Sequence, residues 1–144
     1  MSKSLRYLYT DSNYEYTLEI IFTNNVKRSL KSLYKRWDLN EELVDGEGLS
    51  VTCENERIDF KDITKYALIF DYDKLTDNLI SHEVLHTSIF ILIDRNIDLA
   101  GHDDYYENLA WLNGHLNDLV RQIISREKIQ MYKTPIEAKI KKLG

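Results

Sequence analysis

The stretch Ser81-His82-Glu83-Val84-Leu85-His86 contains an HExxH sequence inside the most apolar run of the chain. Residues four apart on a helix lie on the same face, one turn from each other. His82 and His86 can therefore offer two imidazole nitrogens to one metal ion, and Glu83 lies next to the first of them. A zinc hydrolase uses this arrangement to activate a water molecule. The pattern predicts a Zn²⁺ site with Glu83 as the general base.

The residues around this motif predict a central, buried helix. An apolar run extends from about Leu75 to Ile93, and Asp73 or Thr76 can cap its start. Two imidazoles and a carboxylate inside such a helix are costly unless each has a polar partner. A metal ion would satisfy both histidines. In a metal-free domain, backbone carbonyls or tyrosine hydroxyls would have to satisfy them instead.

A zinc site needs a third protein ligand, and Glu107 is the leading candidate. It stands 21 residues after His86, on a helix predicted to begin at about Asp103. Ala110 and Gly114 share its face and are small, so we expect this face to lie close to the HExxH helix. Leu92 occupies the place of the third histidine in the longer HExxHxxGxxH motif, which excludes the metzincin class.

Other interpretations of this region stay open. Glu107 can instead reach back to the start of its helix, as in a capping box. Asp103 or Asp104 would make an aspartate-type zinc site, whereas His102 fits an exposed loop. Three further side chains could orient a ligand or stabilise an oxyanion: Tyr105, Tyr106 and His115. A half-buried helix histidine is the competing explanation for the last of these.

The first half of the chain predicts a small sheet with one helix. The alternation from Tyr14 to Phe22 has period two and is the clearest strand signal, and residues 26–38 follow helical spacing. The other predicted strands cover residues 5–10, 49–54, 57–60 and 66–70. We therefore expect one α+β domain over residues 1–144, with a mostly antiparallel sheet and three to four helices. Residues 1–70 form its β-rich half and residues 71–144 its helical half with the metal site.

Composition limits the class of protein. Of 144 residues, 43% are hydrophobic and 30% charged, as in soluble globular proteins. The net charge of −5 argues against a general nucleic-acid binder. The single Cys53 excludes an internal disulfide and fits a reducing cytosol. Neither a signal peptide nor a membrane-spanning stretch is recognisable, so we expect a cytoplasmic protein without a membrane partner.

The motif His82-Glu83-Val84-Leu85-His86, followed by the run from Glu107 to Gly114, resembles the small zincin-like metallopeptidases of bacteriophages and mobile elements. Those proteins pair an HExxH helix, entered from an apolar strand, with a later helix that carries a glutamate, an aromatic residue and a glycine. Trp111 takes the aromatic place here, and the resemblance covers roughly residues 66–116. It implies His82, His86 and Glu107 as zinc ligands and Glu83 as general base.

The chain is also similar to gluzincins more broadly, but it departs from their Glu-x-x-x-Asp pattern. Trp111 stands four residues after Glu107, so the carboxylate that would orient a ligand histidine is missing or comes from elsewhere. The resemblance implies a minimal zincin-like fold and a peptidase acting on a peptide or protein, in the host cytoplasm if a phage encodes it. The alternatives are a catalytically inactive zincin-like protein that binds or inhibits a host protein, and a metal-free α+β domain.

Overall fold

The computed structural model describes residues 3–52, 64–95, 103–133 and 142–143, without the side chains of residues 64 and 103–105. In this part of the chain the elements are β1 (Ser4–Asp11), β2 (Tyr16–Thr23), α1 (Val26–Arg36), β3 (Gly48–Thr52), β4 (Thr64–Asp71), α2 (Asp77–Asp94) and α3 (Asp103–Glu127). The predicted α+β class is confirmed. The strand predicted at 57–60 and Cys53 lie outside the described residues. No helix within the described ranges has the length and hydrophobicity needed to cross a membrane.

The four strands form one mixed sheet in the order β1-β2-β4-β3. The pairs β1–β2 and β3–β4 are antiparallel, as expected, but β2 and β4 pair in parallel. These two central strands are buried on both faces, which explains why the segments Leu18–Phe22 and Tyr66–Phe70 are so apolar. In the described residues β1 and β3 are the edges of the sheet.

Helices cover the two faces of the sheet unequally. Asn25 caps the start of α1, where its side chain accepts a hydrogen bond from Arg28 N. The core beneath α1 contains Ile21, Val26, Leu30, Leu33, Val51, Ala67 and Ile69. Helices α2 and α3 cover the opposite face, whose larger core includes Tyr16, Leu18, Ile20, Phe22, Tyr66, Leu68, Phe70, Val84, Leu112 and Leu116. The sheet therefore separates a one-helix layer from a two-helix layer.

A buried carboxylate organises the turn between β1 and β2. The backbone N–H groups of Asn13 and Tyr14 donate to Asp11 Oδ1, at 2.7 and 3.1 Å. The hydroxyl groups of Tyr9 and Tyr16 donate to Oδ2, at 3.3 and 3.4 Å. Burial, and then the negative charge of Asp11, raise the pKa values of Tyr9, Tyr14 and Tyr16 above their ordinary range, most strongly for Tyr16.

Gly48 and Gly114 differ in how closely other residues pack against them, so alanine substitutions at the two positions test the packing. A Cβ atom on Gly48 would lie 2.9 Å from Leu79 Cδ1 and 3.1 Å from Glu83 Cγ, whereas a Cβ on Gly114 would meet nothing within 4 Å. We expect Gly48→Ala to destabilise the protein by about 1–3 kcal/mol. Gly114→Ala should stabilise it by roughly 0.5–1 kcal/mol, because alanine is the better helix former. Urea denaturation measures both, and effects of the same sign would contradict the packing described here.

The tyrosines around Asp11 predict a loss of stability in alkali. In the unfolded chain tyrosines ionise near pH 10, while in the fold Tyr9, Tyr14 and Tyr16 keep their protons to higher pH. Above about pH 10 the unfolded state therefore binds fewer protons, so the free energy of unfolding falls as pH rises towards the folded-state pKa values.

The measurement is urea unfolding from about pH 8 to pH 12, where the ordinary tyrosine pKa is crossed. Tyr16→Phe removes the group with the largest shift, so its free energy of unfolding should fall less steeply above that pKa than in the wild-type protein. Equal slopes for the two proteins would show that Tyr16 does not contribute to the pH dependence.

Candidate metal site

His82 and His86 lie on the outer side of α2. The side chain of His82 is 62% exposed, and Leu85 and Ile93 on the same side of the helix are 41% and 45% exposed. The prediction of a fully buried helix is wrong. The sheet and α3 each cover one side of α2, and the third side faces solvent although it carries apolar residues. The histidines therefore incur no burial cost that a metal would have to offset.

The two imidazoles nevertheless converge. Their Nε2 atoms lie 3.2 Å apart, and the rings meet edge to face with centroids at 4.8 Å. Two Zn–N bonds of about 2.0–2.1 Å at a tetrahedral angle hold their nitrogens roughly 3.3 Å apart. The observed separation fits that geometry. It also fits a direct N–H···N hydrogen bond between the two rings, in which one Nε2 donates.

Glu83 points from α2 towards the sheet, because one residue along a helix turns the side chain by about 100°. It is one of the buried polar residues, its Oε1 lies 3.9 Å from His82 Nε2, and its Cγ lies close to Gly48 at the start of β3. One turn later, Thr87 Oγ1 and Ser50 Oγ form a hydrogen bond of 2.6 Å that ties α2 to β3. The carboxylate thus lies between an imidazole and the edge strand.

The sequence interpretation missed the role of Gly48 in packing. A glycine at the start of a strand can also mark a close approach of another element, and here α2 makes that approach. Without a side chain at position 48, Leu79 and Glu83 can pack directly against the backbone of β3.

Glu107 does not join the histidine pair. Glu107 is exposed, as is Ala110, and the space beside Gly114 is open. The predicted close contact between this face of α3 and α2 is therefore not present. The core lies on the opposite side of α3, where Leu112 and Leu116 are fully buried. No group of three or more His, Cys, Asp or Glu side chains suited to a metal is found among the described residues. His102 and the side chains of Asp103 and Asp104 lie outside them.

The register between the two helices gives the reason. Asp77, at the start of α2, forms an ion pair with Arg121 in the second half of α3, so the helices run antiparallel. Counting equal numbers of residues from that pair brings Glu107 level with Ile91. At a rise of 1.5 Å per residue this is about 8 Å beyond His86 along the helix. The separation of 21 residues between His86 and Glu107 suited a ligand on a neighbouring antiparallel helix. In the observed register, however, Glu107 lies more than one helical turn beyond His86.

His115 lies at a separate contact between α3 and β1. Its Nε2 is 2.7 Å from the Tyr9 hydroxyl, and its ring stacks on Trp111 at a centroid distance of 5.1 Å. The Tyr9 hydroxyl and His115 Nε2 share this hydrogen bond, and the tautomer of the imidazole decides which of them donates. His115 is therefore not placed at the histidine pair. Tyr106 is 58% exposed, and the side chain of Tyr105 lies outside the described residues.

Comparisons with known proteins give no family for this chain. No protein-family model, no curated protein and no solved structure matches it. The resemblance to zincin-like metallopeptidases therefore rests on the quoted residues alone and stays a prediction.

Proposed function

We propose that this protein is a zinc-dependent hydrolase that cleaves peptide bonds, with His82 and His86 as two of the metal ligands. The observation that carries the proposal is the 3.2 Å separation of the two Nε2 atoms, which suits a tetrahedral zinc ion. The third ligand would be Glu107, Asp103 or Asp104. In the antiparallel register Asp103 and Asp104 lie still farther along α2 from His86 than Glu107 does, so with any of the three α3 has to shift or rotate relative to α2 when the metal binds.

A zinc ion held there would supply a water molecule of lowered pKa and a Lewis acid for the substrate carbonyl. The chain's own contribution is a base beside that position. Glu83 Oε1, 3.9 Å from His82 Nε2, would accept a proton and later return it to the leaving amine. Packing of the Glu83 methylene groups against Gly48 restricts the side chain to this region.

The edge strand β3 offers a place for the substrate. In the described part of the chain β3 pairs with β4 on one side, so its other backbone edge can pair with an extended peptide. Gly48, at the start of β3, lies beside Glu83. A peptide added to this edge would run past the carboxylate, and backbone pairing would bind many sequences with little side-chain preference.

Zinc binding is the first test of the proposal. Protein purified without a histidine tag should bind one zinc ion, measured by competition with a chromogenic chelator. His82→Ala and His86→Ala should each weaken binding by more than the roughly 10–100-fold loss caused by removing an outer-shell partner. His115→Gln is the control, because this histidine contacts Tyr9 and Trp111 instead. Wild-type affinity in His82→Ala would contradict the site.

The same assay identifies the third ligand. Alanine variants at Asp103, Asp104 and Glu107 each remove one candidate carboxylate, and the ligand is the position whose loss weakens zinc binding as much as the loss of His82. If all three variants bind zinc like the wild type, the metal is held by the histidine pair alone. That outcome would argue against a catalytic site with three protein ligands.

Catalysis is tested with Glu83→Gln on a peptide library. The variant should still bind zinc, because the histidines are intact, but cleavage should fall about 10²–10⁴-fold with loss of the general base. Mass spectrometry of the library products measures the cleavage. If the wild type and the variant cleave equally, or neither cleaves, the peptidase proposal fails.

One observation favours a second candidate, a binding module without catalysis. Leu85 and Ile93 are exposed on the same side of α2 as the histidines, and exposed apolar side chains are common where proteins bind one another. In that case the pair would serve as a structural or vestigial metal site. Cleavage that depends on Glu83 would exclude this second candidate.

A further inference from the structure

A groove lies on the other face of the sheet, between β1 and α1. Its volume is about 230 Å³, and polar side chains form most of its lining: Ser4, Arg6, Thr23, Asn25, Arg28, Ser29, Ser32 and Arg36, with Ile21 as the one apolar residue. The groove exists because a helix about 10 Å wide cannot cover four strands spaced about 4.8 Å apart. Helix α1 packs on the central strands and leaves this face of β1 open.

Two arginines are held at the groove by one carboxylate. Glu19 Oε1 accepts hydrogen bonds from Arg6 Nε at 2.7 Å and Arg36 Nη2 at 2.6 Å. Glu19 is only 8% exposed, so its attraction to both guanidinium groups is weakly screened. Each guanidinium carries five N–H donors. Each therefore retains donors beyond its bond to Glu19, and the carboxylate fixes where they are presented.

Other polar side chains lie at the bottom of the groove and around its opening. At the floor, the Ser29 hydroxyl donates to Thr23 Oγ1 at 2.8 Å and fixes that pair. Ser4 and Ser32 are exposed and place hydroxyl groups at the rim. Arg28 also lines the groove, and Arg6 and Arg36 together carry two positive charges against the one negative charge of Glu19. An anion entering the groove therefore meets net positive charge at the cluster of Arg6, Glu19 and Arg36.

Helix α1, beside the groove, is basic although the chain as a whole is acidic. Helix α1 carries five of the nineteen Lys and Arg residues and none of the twenty-four Asp and Glu residues. The chain as a whole has a net charge of −5, so the remainder repels anions. A polyanion that extends beyond α1 would approach this acidic remainder. A small anion can stay within the basic region.

We propose that this groove binds the phosphate group of a small phosphorylated ligand. A phosphate monoester carries about −1.5 to −2 charges at pH 7 and three acceptor oxygens, which suits the positively charged arginine cluster and its several donors. Guanidinium groups bind phosphate through paired N–H donors. The groove volume of about 230 Å³ is many times the roughly 10–15 Å³ that admits one water, so a phosphate group fits with space left over. The excess space can hold part of the attached molecule.

The test is an NMR titration of the full chain with glycerol 3-phosphate, compared with sodium chloride at matched ionic strength. Glycerol 3-phosphate should cause saturable shifts of the backbone amides around the groove, including Ser4 and Ser32. Ser32→Glu puts a carboxylate at the rim and should weaken binding at least tenfold. Lys31→Gln is the control, because it lowers the net charge by the same one unit on the same helix but lies outside the groove lining. It should change the affinity less than twofold.

Both substituted side chains are exposed, and circular dichroism checks that each variant folds. Equal weakening by Ser32→Glu and Lys31→Gln would overturn the proposal, because only overall charge would then matter. Shifts that do not saturate, or that sodium chloride reproduces, would overturn it as well. Tighter binding of a single-stranded oligonucleotide than of glycerol 3-phosphate would replace the small ligand with a polynucleotide backbone. None of these outcomes depends on the metal site.

Discussion

The parallel pairing of β2 with β4 is the constraint on which the rest of this structure depends. A parallel pair needs a crossover connection, and here the connection contains α1 and β3. Helix α1 therefore covers one face of the sheet, and α2 and α3, which follow β4, cover the other. The same pairing places β1 and β3 at opposite edges. Each edge borders one candidate site, the arginine groove at β1 and the histidine pair near β3.

Local interactions could be predicted from the sequence, and long-range ones could not. The convergence of His82 and His86 follows from helix geometry alone, because residues four apart share a face wherever the helix lies. The burial of that helix depends on how many neighbours pack around it, and the apolar pattern does not give that number. Leu85 and Ile93 are apolar although they are exposed. The apolar pattern therefore predicted a fully buried helix, whereas one side of α2 faces solvent. Likewise, the apolar runs of β2 and β4 predicted two strands but not their parallel pairing.

The position of Glu107 shows how packing energy decides a site. Two faces of α3 compete for the core: the leucine-rich stripe, and the face with Ala110 and Gly114. Burying one leucine side chain contributes about 1.5–3 kcal/mol, so the stripe with Leu112 and Leu116 takes the core. The small residues then face solvent, and Glu107 with them. Small side chains permit a close approach between helices, but they do not provide the free energy that would enforce it.

Strand β1 connects the two layers and gives the arginine groove its rigidity. Its side chains alternate, so Tyr9 faces α3 while Arg6 faces α1. On the α3 side, Tyr9 is fixed by hydrogen bonds with Asp11 and His115. On the α1 side, Arg6 is fixed by Glu19. Glu19 holds Arg36 on α1 as well, so both guanidinium groups are already positioned when an anion arrives. Such preorganisation lowers the entropy cost of binding.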